Sequence, residues 1–322
     1  MDTGMDISVV AMAREDERPP DEPLRVAAVA DRLGYPEAWV GEGPTWDAFA
    51  LATAIGLRTE RIALTVGPVP VSVRDPASIV RGAAGAAFLT GRRVGVALGA
   101  SSVRVVEGYH GRSRAGVARL LDESARNVRE LFDDAGPEAV PGSGFRRRLG
   151  RPGGPLTVAA FGERAVAAAA RHADRMVLDL VTPRQVALAR TRLEAAAERE
   201  GRTPPRLAAW LPAAVDPSPD SYAQLMKSVV GYLGVRGYDD MFTEAGFGDA
   251  VERAKAGAGL EESLAALPRE AAATVGLVGD EATVRSRLAE YAAAGLDEVA
   301  LVPATSGDPA GERTLTALAP GR

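Results

Sequence analysis

The chain has 322 residues, a net charge of −5 from 38 basic and 43 acidic side chains, a hydrophobic fraction of 46% and no cysteine. This composition supplies a large core and excludes a disulfide framework, a thiolate nucleophile, an iron–sulfur cluster and Cys-ligated zinc. Only two histidines, His110 and His172, are present, so a three-His metal site is excluded too.

No apolar run approaches the ~20 residues of a membrane span. The start MDTGMDISVV lacks the basic-then-apolar pattern of a signal peptide, so a soluble, cytoplasmic protein is expected. The densest basic cluster, FRRRLGR (Phe145–Arg151), is a short run in a Gly/Pro-rich loop. It reads as a solvated turn, because tracking a phosphate backbone takes many such contacts. Neither nucleic acid nor membrane is expected as a partner.

Strand-like and helix-like segments alternate along the chain. MDISVVAM (5–12) is a first strand, PLRVAAVADRLGY (23–35) a helix and EAWVGEG (37–43) a second strand. TWDAFALATAIGL (45–57) is a helix, RIALTVGPV (61–69) a third strand, and PASIVRGAAGAAFL (76–89) a helix opened by Pro76, which suits a first turn. RVGVALGA (93–100) is a fourth strand, followed by a loop and the helix of residues 115–134. PLTVAAFG (155–162), RMVLDLV (175–181) and RLAAWLPAAV (206–215) are strands five to seven, with helices at 163–173 and 183–201 between them. Residues 216–281 contain helical pieces without a strong strand and read as an insertion. A last helix (281–295) and an eighth strand, LDEVALVPA (296–304), close the pattern.

Eight β/α alternations mean a parallel sheet. A closed (β/α)8 barrel is favoured over an open sheet because DRLGYPEAWVGE and YAAAGLDEVALVP share one design, a helix ended by Gly and then an acidic residue and a strand. First and last units of one kind suit first and last strands that pair. No GxGxxG follows the first strand, against a dinucleotide-binding Rossmann fold. The whole chain, 1–322, is read as one barrel domain with a helical insertion at about 216–281.

Barrel enzymes work at the C-terminal ends of their strands. Those tips carry Gly41-Glu42-Gly43 with Trp46 and Asp47, Gly67-Pro68, Gly99-Ala100-Ser101-Ser102, Phe161-Gly162-Glu163-Arg164, and Asp179 with Thr182. Small residues there let a flat ligand approach the backbone. Gly162 opens a helix with Arg164 in its first turn, which makes an anion site. Ser101 and Ser102 offer hydroxyls. Glu42 is the best-placed carboxylate, and Tyr109 and His110 sit in a loop on the active side. Chemistry with so few acids and bases points to an organic cofactor.

LGYPEAWVGEG, VGPVPVSVRDP, GRRVGVALGASS with VEGYHG, PLTVAAFGERAV and VGLVGDEATVRSRLAEYAAAGLDEVALVP, in this order over nearly the whole chain, resemble the luciferase-like oxidoreductases, above all their deazaflavin (coenzyme F420) branch. The resemblance implies a (β/α)8 barrel, often dimeric, that binds F420 or FMN across its strand tips. It also implies a bulge on the third strand with a cis peptide bond behind the ring. That would explain why an apolar strand runs into Pro68 and Pro70, since Gly67–Pro68 falls at that place and an X–Pro bond takes the cis form readily.

By the same resemblance Gly67 and Pro68 touch the ring, Gly99 to Ser102 line its edge, Phe161 to Arg164 hold the phosphate end, and Val66 also belongs to the cofactor-binding residues. The family's sugar-phosphate dehydrogenases carry a histidine after strand two and a glutamate after strand four, where this chain has Gly43 and Ala100. The implied activity is therefore reduction: hydride from reduced F420 to an activated C=C or C=N bond of a small organic substrate. Glu42, Tyr109, His110 or water would supply the proton. Trp46, Asp47 and, from the insertion, Tyr232, Tyr238, Met241 or Phe242 would meet the substrate. An FMN-dependent monooxygenase and a non-catalytic flavin- or deazaflavin-binding protein are the alternatives, and a homodimer is expected.

Overall fold

The computed structural model describes residues 4–12, 19–133 and 149–321. The helix end at Asp134 and most of the basic cluster, Phe145 to Arg148, lie outside them. In chain order the elements are β1 (Asp6–Ala11), α1 (Glu22–Leu33), β2 (Glu37–Val40), α2 (Ala48–Gly56), β3 (Ala63–Pro70), α3 (Pro76–Thr90), β4 (Val94–Gly99), α4 (Val117–Phe132), β5 (Gly153–Ala159), α5 (Glu163–His172), β6 (Arg175–Asp179), α6 (Pro183–Arg199) and β7 (Arg206–Val215). Five helices follow: α7 (Pro219–Val230), α8 (Tyr238–Phe242), α9 (Gly248–Lys255), α10 (Leu260–Ala266) and α11 (Ala271–Thr274). The chain ends with β8 (Leu277–Gly279), α12 (Glu281–Ala293), β9 (Glu298–Pro303) and α13 (Glu312–Ala317).

All strand pairings are parallel, and β1 pairs with both β2 and β9 while β6 pairs with β7 and β7 with β9. Strands β1–β7 and β9 therefore close into an eight-stranded barrel. Two elements depart from expectation. The three-residue β8 lies in the segment read as strandless and pairs with the end of β7, Ala213 to Val215. It is too short to carry a periodic signal. Helix α13 follows the segment read as the last helix, and its Leu315 is buried against the barrel.

The turn chemistry follows the sequence. Asp47, Asp75, Ser218 and Asp280 each accept backbone N–H groups at helix starts, and Thr182 with Gln185 forms a capping box on α6. Gly34 and Gly295 leave α1 and α12 in left-handed conformation at φ 85° and 89°. In both places the next residue, Tyr35 or Leu296, donates back into the helix to Ala30 or Tyr291, so the two sequence-alike joints are alike in structure.

The barrel interior is layered. At its N-terminal floor Arg175, 3% exposed, bonds Glu298 at 2.6 Å and Glu37 at 2.8 Å, with Thr65 and Thr157 as further acceptors. The Arg175 guanidinium lies 4.0 Å over the Trp39 ring, whose N–H reaches Ser8 and Glu298. Above this plug sit Val10, Trp39, Ala97, Val177, Ala208, Trp210 and Ala300. The main core fills the space between the strands' outer faces and the helices, and a second cluster holds α7–α11 together around Phe242 and Phe247.

Candidate functional site at the barrel mouth

Register and the two-residue period of strands fix which residues line the mouth. Val10, Trp39, Thr65, Gly95, Ala97, Thr157, Arg175, Val177, Ala208 and Trp210 are linked pairwise across neighbouring strands and face inward. Continuing by alternation, the next inward positions are Met12, Gly41, Gly99, Ala159 and Asp179. Four of these are apolar or small, and Asp179 is the charged one among them. The result is a shallow bed over the Trp39–Trp210 pair, whose rings meet edge-on at 5.7 Å.

On β3 the ladder to β4 shifts register between Val66 and Val69, and the Gly67–Pro68 peptide bond is cis. Gly67 has φ 119°, and a Cβ there would lie 2.3 Å from the Ala97 carbonyl oxygen, so only glycine fits. Gly99 faces Pro68 closely, since a Cβ on it would stand 3.1 Å from the proline ring. The strand bulges at Gly67–Pro68 and resumes its pairing at Val69 and Pro70. Val66, by contrast, is fully buried in the outer core, so only its backbone reaches this bed.

After β4, Ser101 takes a left-handed φ of 56° and its carbonyl accepts the Arg114 Nε–H at 2.7 Å. Ser102 accepts the Val105 N–H at the start of a π-helical turn, Arg104–Tyr109, a piece of structure absent from the sequence reading. Ala100, Ser101 and Ser102 are half-buried at the rim. Tyr109 and His110 are exposed, stack edge-on at 4.9 Å, and Tyr109 donates to the Pro44 carbonyl at 3.2 Å. The β4 and β2 loops thus meet at the rim.

Glu42 is not a free base. Arg74 binds its Oε1 from Nε at 3.1 Å and Nη2 at 2.7 Å, and the same guanidinium reaches Asp47 at 2.6 Å. Burial pushes the Glu42 carboxyl up and Arg74 pulls it back, the balance remaining upward. Asp47 caps α2 as well, and Trp46 donates to the Pro20 carbonyl, so both have structural tasks.

Gly162 opens α5 without any side-chain cap, leaving the first-turn N–H groups of Glu163 and Arg164 directed outward. Gly162, Glu163 and Arg164 are exposed, and Arg164 makes no ion pair among the described residues. Phe161 packs against Tyr238 at 4.8 Å, and Tyr238 against Tyr232 at 4.7 Å and Phe242 at 6.1 Å. The insertion therefore does deliver aromatic side chains to the mouth, while Phe242 itself is buried and Met241 packs on the main core.

Two groups escaped the sequence reading as site residues. Tyr238 Oη donates to Asp179 Oδ2 at 2.9 Å, and burial pushes the Asp179 carboxyl up to about 7. Trp210 Nε1 is buried without a hydrogen-bond partner among the described residues. Asp179 was visible as a strand-tip acid, but its partner lies 59 positions away and no local pattern joins them.

A Mycobacterium tuberculosis protein named as a coenzyme F420-dependent oxidoreductase is 23% identical over 94% of this chain and 95% of its own. Among solved structures, the F420-dependent tetrahydromethanopterin reductase of Methanopyrus kandleri superposes with a TM-score of 0.76 at 15% identity, covering 98% of this chain and 97% of that one. The FMN-bound oxygenating constituent of 3,6-diketocamphane monooxygenase from Pseudomonas putida does so with a TM-score of 0.69 at 17% identity, covering 98% and 97%. The family model described as luciferase-like monooxygenase matches residues 5–298. With that match over most of its length, on a barrel whose third strand bulges at Gly67–Pro68, this chain belongs to the luciferase-like monooxygenase family.

Proposed function

We propose that the protein is an F420-dependent reductase that passes hydride to an activated C=C or C=N bond of a small organic substrate. The observation that carries this reading is the end-to-end similarity to the mycobacterial F420-dependent oxidoreductase. The site fits such a group. Gly99 and Ala159 leave a flat ring room over the strand tips, Met12 packs over Gly41, and the Gly67–Pro68 backbone backs the ring. Ala100, Ser101 and Ser102 border it, and Phe161, the uncapped start of α5 and Arg164 suit its phosphate. When bound in reduced form, F420 supplies a hydride.

This chain's own residues then orient the substrate and manage a proton. Tyr109 and His110 at the rim are proposed to face it, together with Trp46, Asp47, Tyr232 and Tyr238. Glu42, fixed by Arg74, holds the β2 and β3 tips in place rather than serving as a mobile base. Outside the site, α2 and α3 are apolar on nearly all sides, and Leu57, Phe88 and Leu89 are exposed where their ends pack through Gly56 and Thr90. We infer a homodimer with this surface between the copies. Among the described residues no helix is long and apolar enough to cross a membrane.

A second reading, an FMN-dependent monooxygenase, is favoured by the likeness to the FMN-bound camphane monooxygenase. Parallel fluorescence titrations with F420 and FMN decide between them. F420 binding with FMN ignored supports the reductase. FMN binding alone supports the monooxygenase, and ligand binding without turnover on any acceptor leaves a binding protein.

A further inference from the structure

The inward tip of β6 holds a carboxyl group to which the reading above gives no task. Asp179 is in register with Trp210, and Val177, two residues before it on the same face, belongs with Trp210 to the barrel's inner layer. The Asp179 side chain therefore points into the mouth, where it is partly exposed. Tyr238 from the insertion fixes it through the 2.9 Å hydrogen bond, and Phe161 from the neighbouring strand tip packs on that tyrosine. The titratable groups facing it are Tyr238 and, behind it, Tyr232; no arginine or lysine among the described residues forms an ion pair with it.

A carboxylate without a cation in such surroundings is unfavourable, and the group instead holds its proton. Burial raises it to about 7 against the opposing hydrogen bonds of Tyr238 and the Leu180 N–H. A neutral carboxylic acid is a hydrogen-bond donor. On the register partner of Asp179, Trp210, the indole N–H is a donor with no acceptor among the described residues. A protonated Asp179 facing the mouth suits an oxygen acceptor, not a cation.

We propose that Asp179, fixed by Tyr238, binds the carbonyl oxygen of a conjugated C=C–C=O ligand and donates a proton to it. Ligand binding in this proposal depends on the barrel mouth alone, whereas the proton transfer rests on the reductase reading. As hydride adds to the β-carbon, the π electrons of the C=C bond move through the conjugated system onto the carbonyl oxygen. The O–H bond of Asp179 breaks and its proton passes to that oxygen, giving an enol and an Asp179 carboxylate held by the Tyr238 hydroxyl. The enol returns to the ketone by exchange with water, and water re-protonates Asp179. The acid is matched to neutral pH, as efficient general acids are.

The test uses 2-cyclohexen-1-one as a neutral carbonyl probe that does not titrate, with binding to the full chain followed by saturation-transfer NMR and by the infrared C=O band of the bound ketone. The dissociation constant is expected to rise about tenfold per pH unit above the Asp179 midpoint near 7, and the bound C=O band to move to lower frequency below it. Asp179→Asn should bind without that pH dependence, and Asp179→Leu should lose the band shift. Tyr238→Phe should move the midpoint upward, because the tyrosine hydroxyl stabilises the carboxylate.

Binding that ignores pH in the native protein, no saturable binding, or an unchanged band shift in Asp179→Leu would overturn the proposal. F420 titrations of the same variants keep the two readings apart. Retained F420 binding in Asp179→Leu shows an intact barrel. A native protein that binds the ketone in this pH-dependent way but not F420 refutes the reductase and leaves the ketone site standing.

Discussion

Arg74 and Glu42 are joined through a single carboxylate oxygen, while the other, Glu42 Oε2, is buried with no hydrogen-bond partner among the described residues. The pair ties the tip of β2 to the loop after β3, and Arg74 also spans to the α2 cap at Asp47 and lies 5.5 Å from the Phe49 ring.

Removing the cation leaves a largely buried carboxylate alone. Arg74→Met is expected to cost about 2–4 kcal/mol in urea unfolding at neutral pH. The double variant with Glu42→Gln should recover part of that loss, since it removes the unpaired charge. If the single variant is as stable as the native protein, Glu42 is not held in the way its geometry indicates.

Asp179 makes stability depend on pH in the direction opposite to a salt-bridged carboxylate. Its folded-state value, about 7, lies above that of the unfolded chain. The stabilisation is full at acid pH, below the unfolded value, and is lost as pH rises through about 7. Asp179→Asn cannot ionise, so it should gain on the native protein by about 1–3 kcal/mol as pH rises from about 4 to about 8. Unfolding curves at the two ends of that window check this, and a constant difference between the two proteins argues against a raised carboxyl.

The cofactor bed can be probed at two of its points without touching Asp179. Arg164→Glu, at the start of α5, should weaken F420 binding about tenfold to a hundredfold, with a steeper loss at low salt. Gly99→Val adds a side chain against Pro68 and over the strand tip, and should weaken F420 or FMN binding by a similar factor while the fold, read by circular dichroism, persists. Native-like affinity in both variants would place the cofactor elsewhere.

Phe88 is 69% exposed and Leu89 62% on α3, a helix with little polar face to offer water. Phe88→Asp is expected to convert a dimer to monomers in sedimentation velocity, with the monomer less stable than the assembled protein. A native protein that sediments as a monomer at micromolar concentration refutes the inferred assembly.

The amino-acid sequence by itself determined the barrel. Strands apolar on both faces recur in alternation with helices, most of them apolar on one face, outside the insertion, and that periodicity is a local property of the chain. So are the glycine caps at Gly34 and Gly295, the Asp and Ser caps, and the prolines at the bulge after Gly67, each readable from a few neighbours. What only the tertiary structure decided is which side chains meet. Glu42 reads as a free strand-tip acid until the chain, 32 residues later, returns Arg74 to it. Val66 reads as a cofactor-binding residue until the register turns its side chain outward, into the core. Asp179 gains its raised protonation state from burial, and its hydrogen-bond donor Tyr238 is a residue of the insertion that comes back over the mouth. Contacts of that kind depend on strand order and barrel closure, which bring together residues that no sequence window contains.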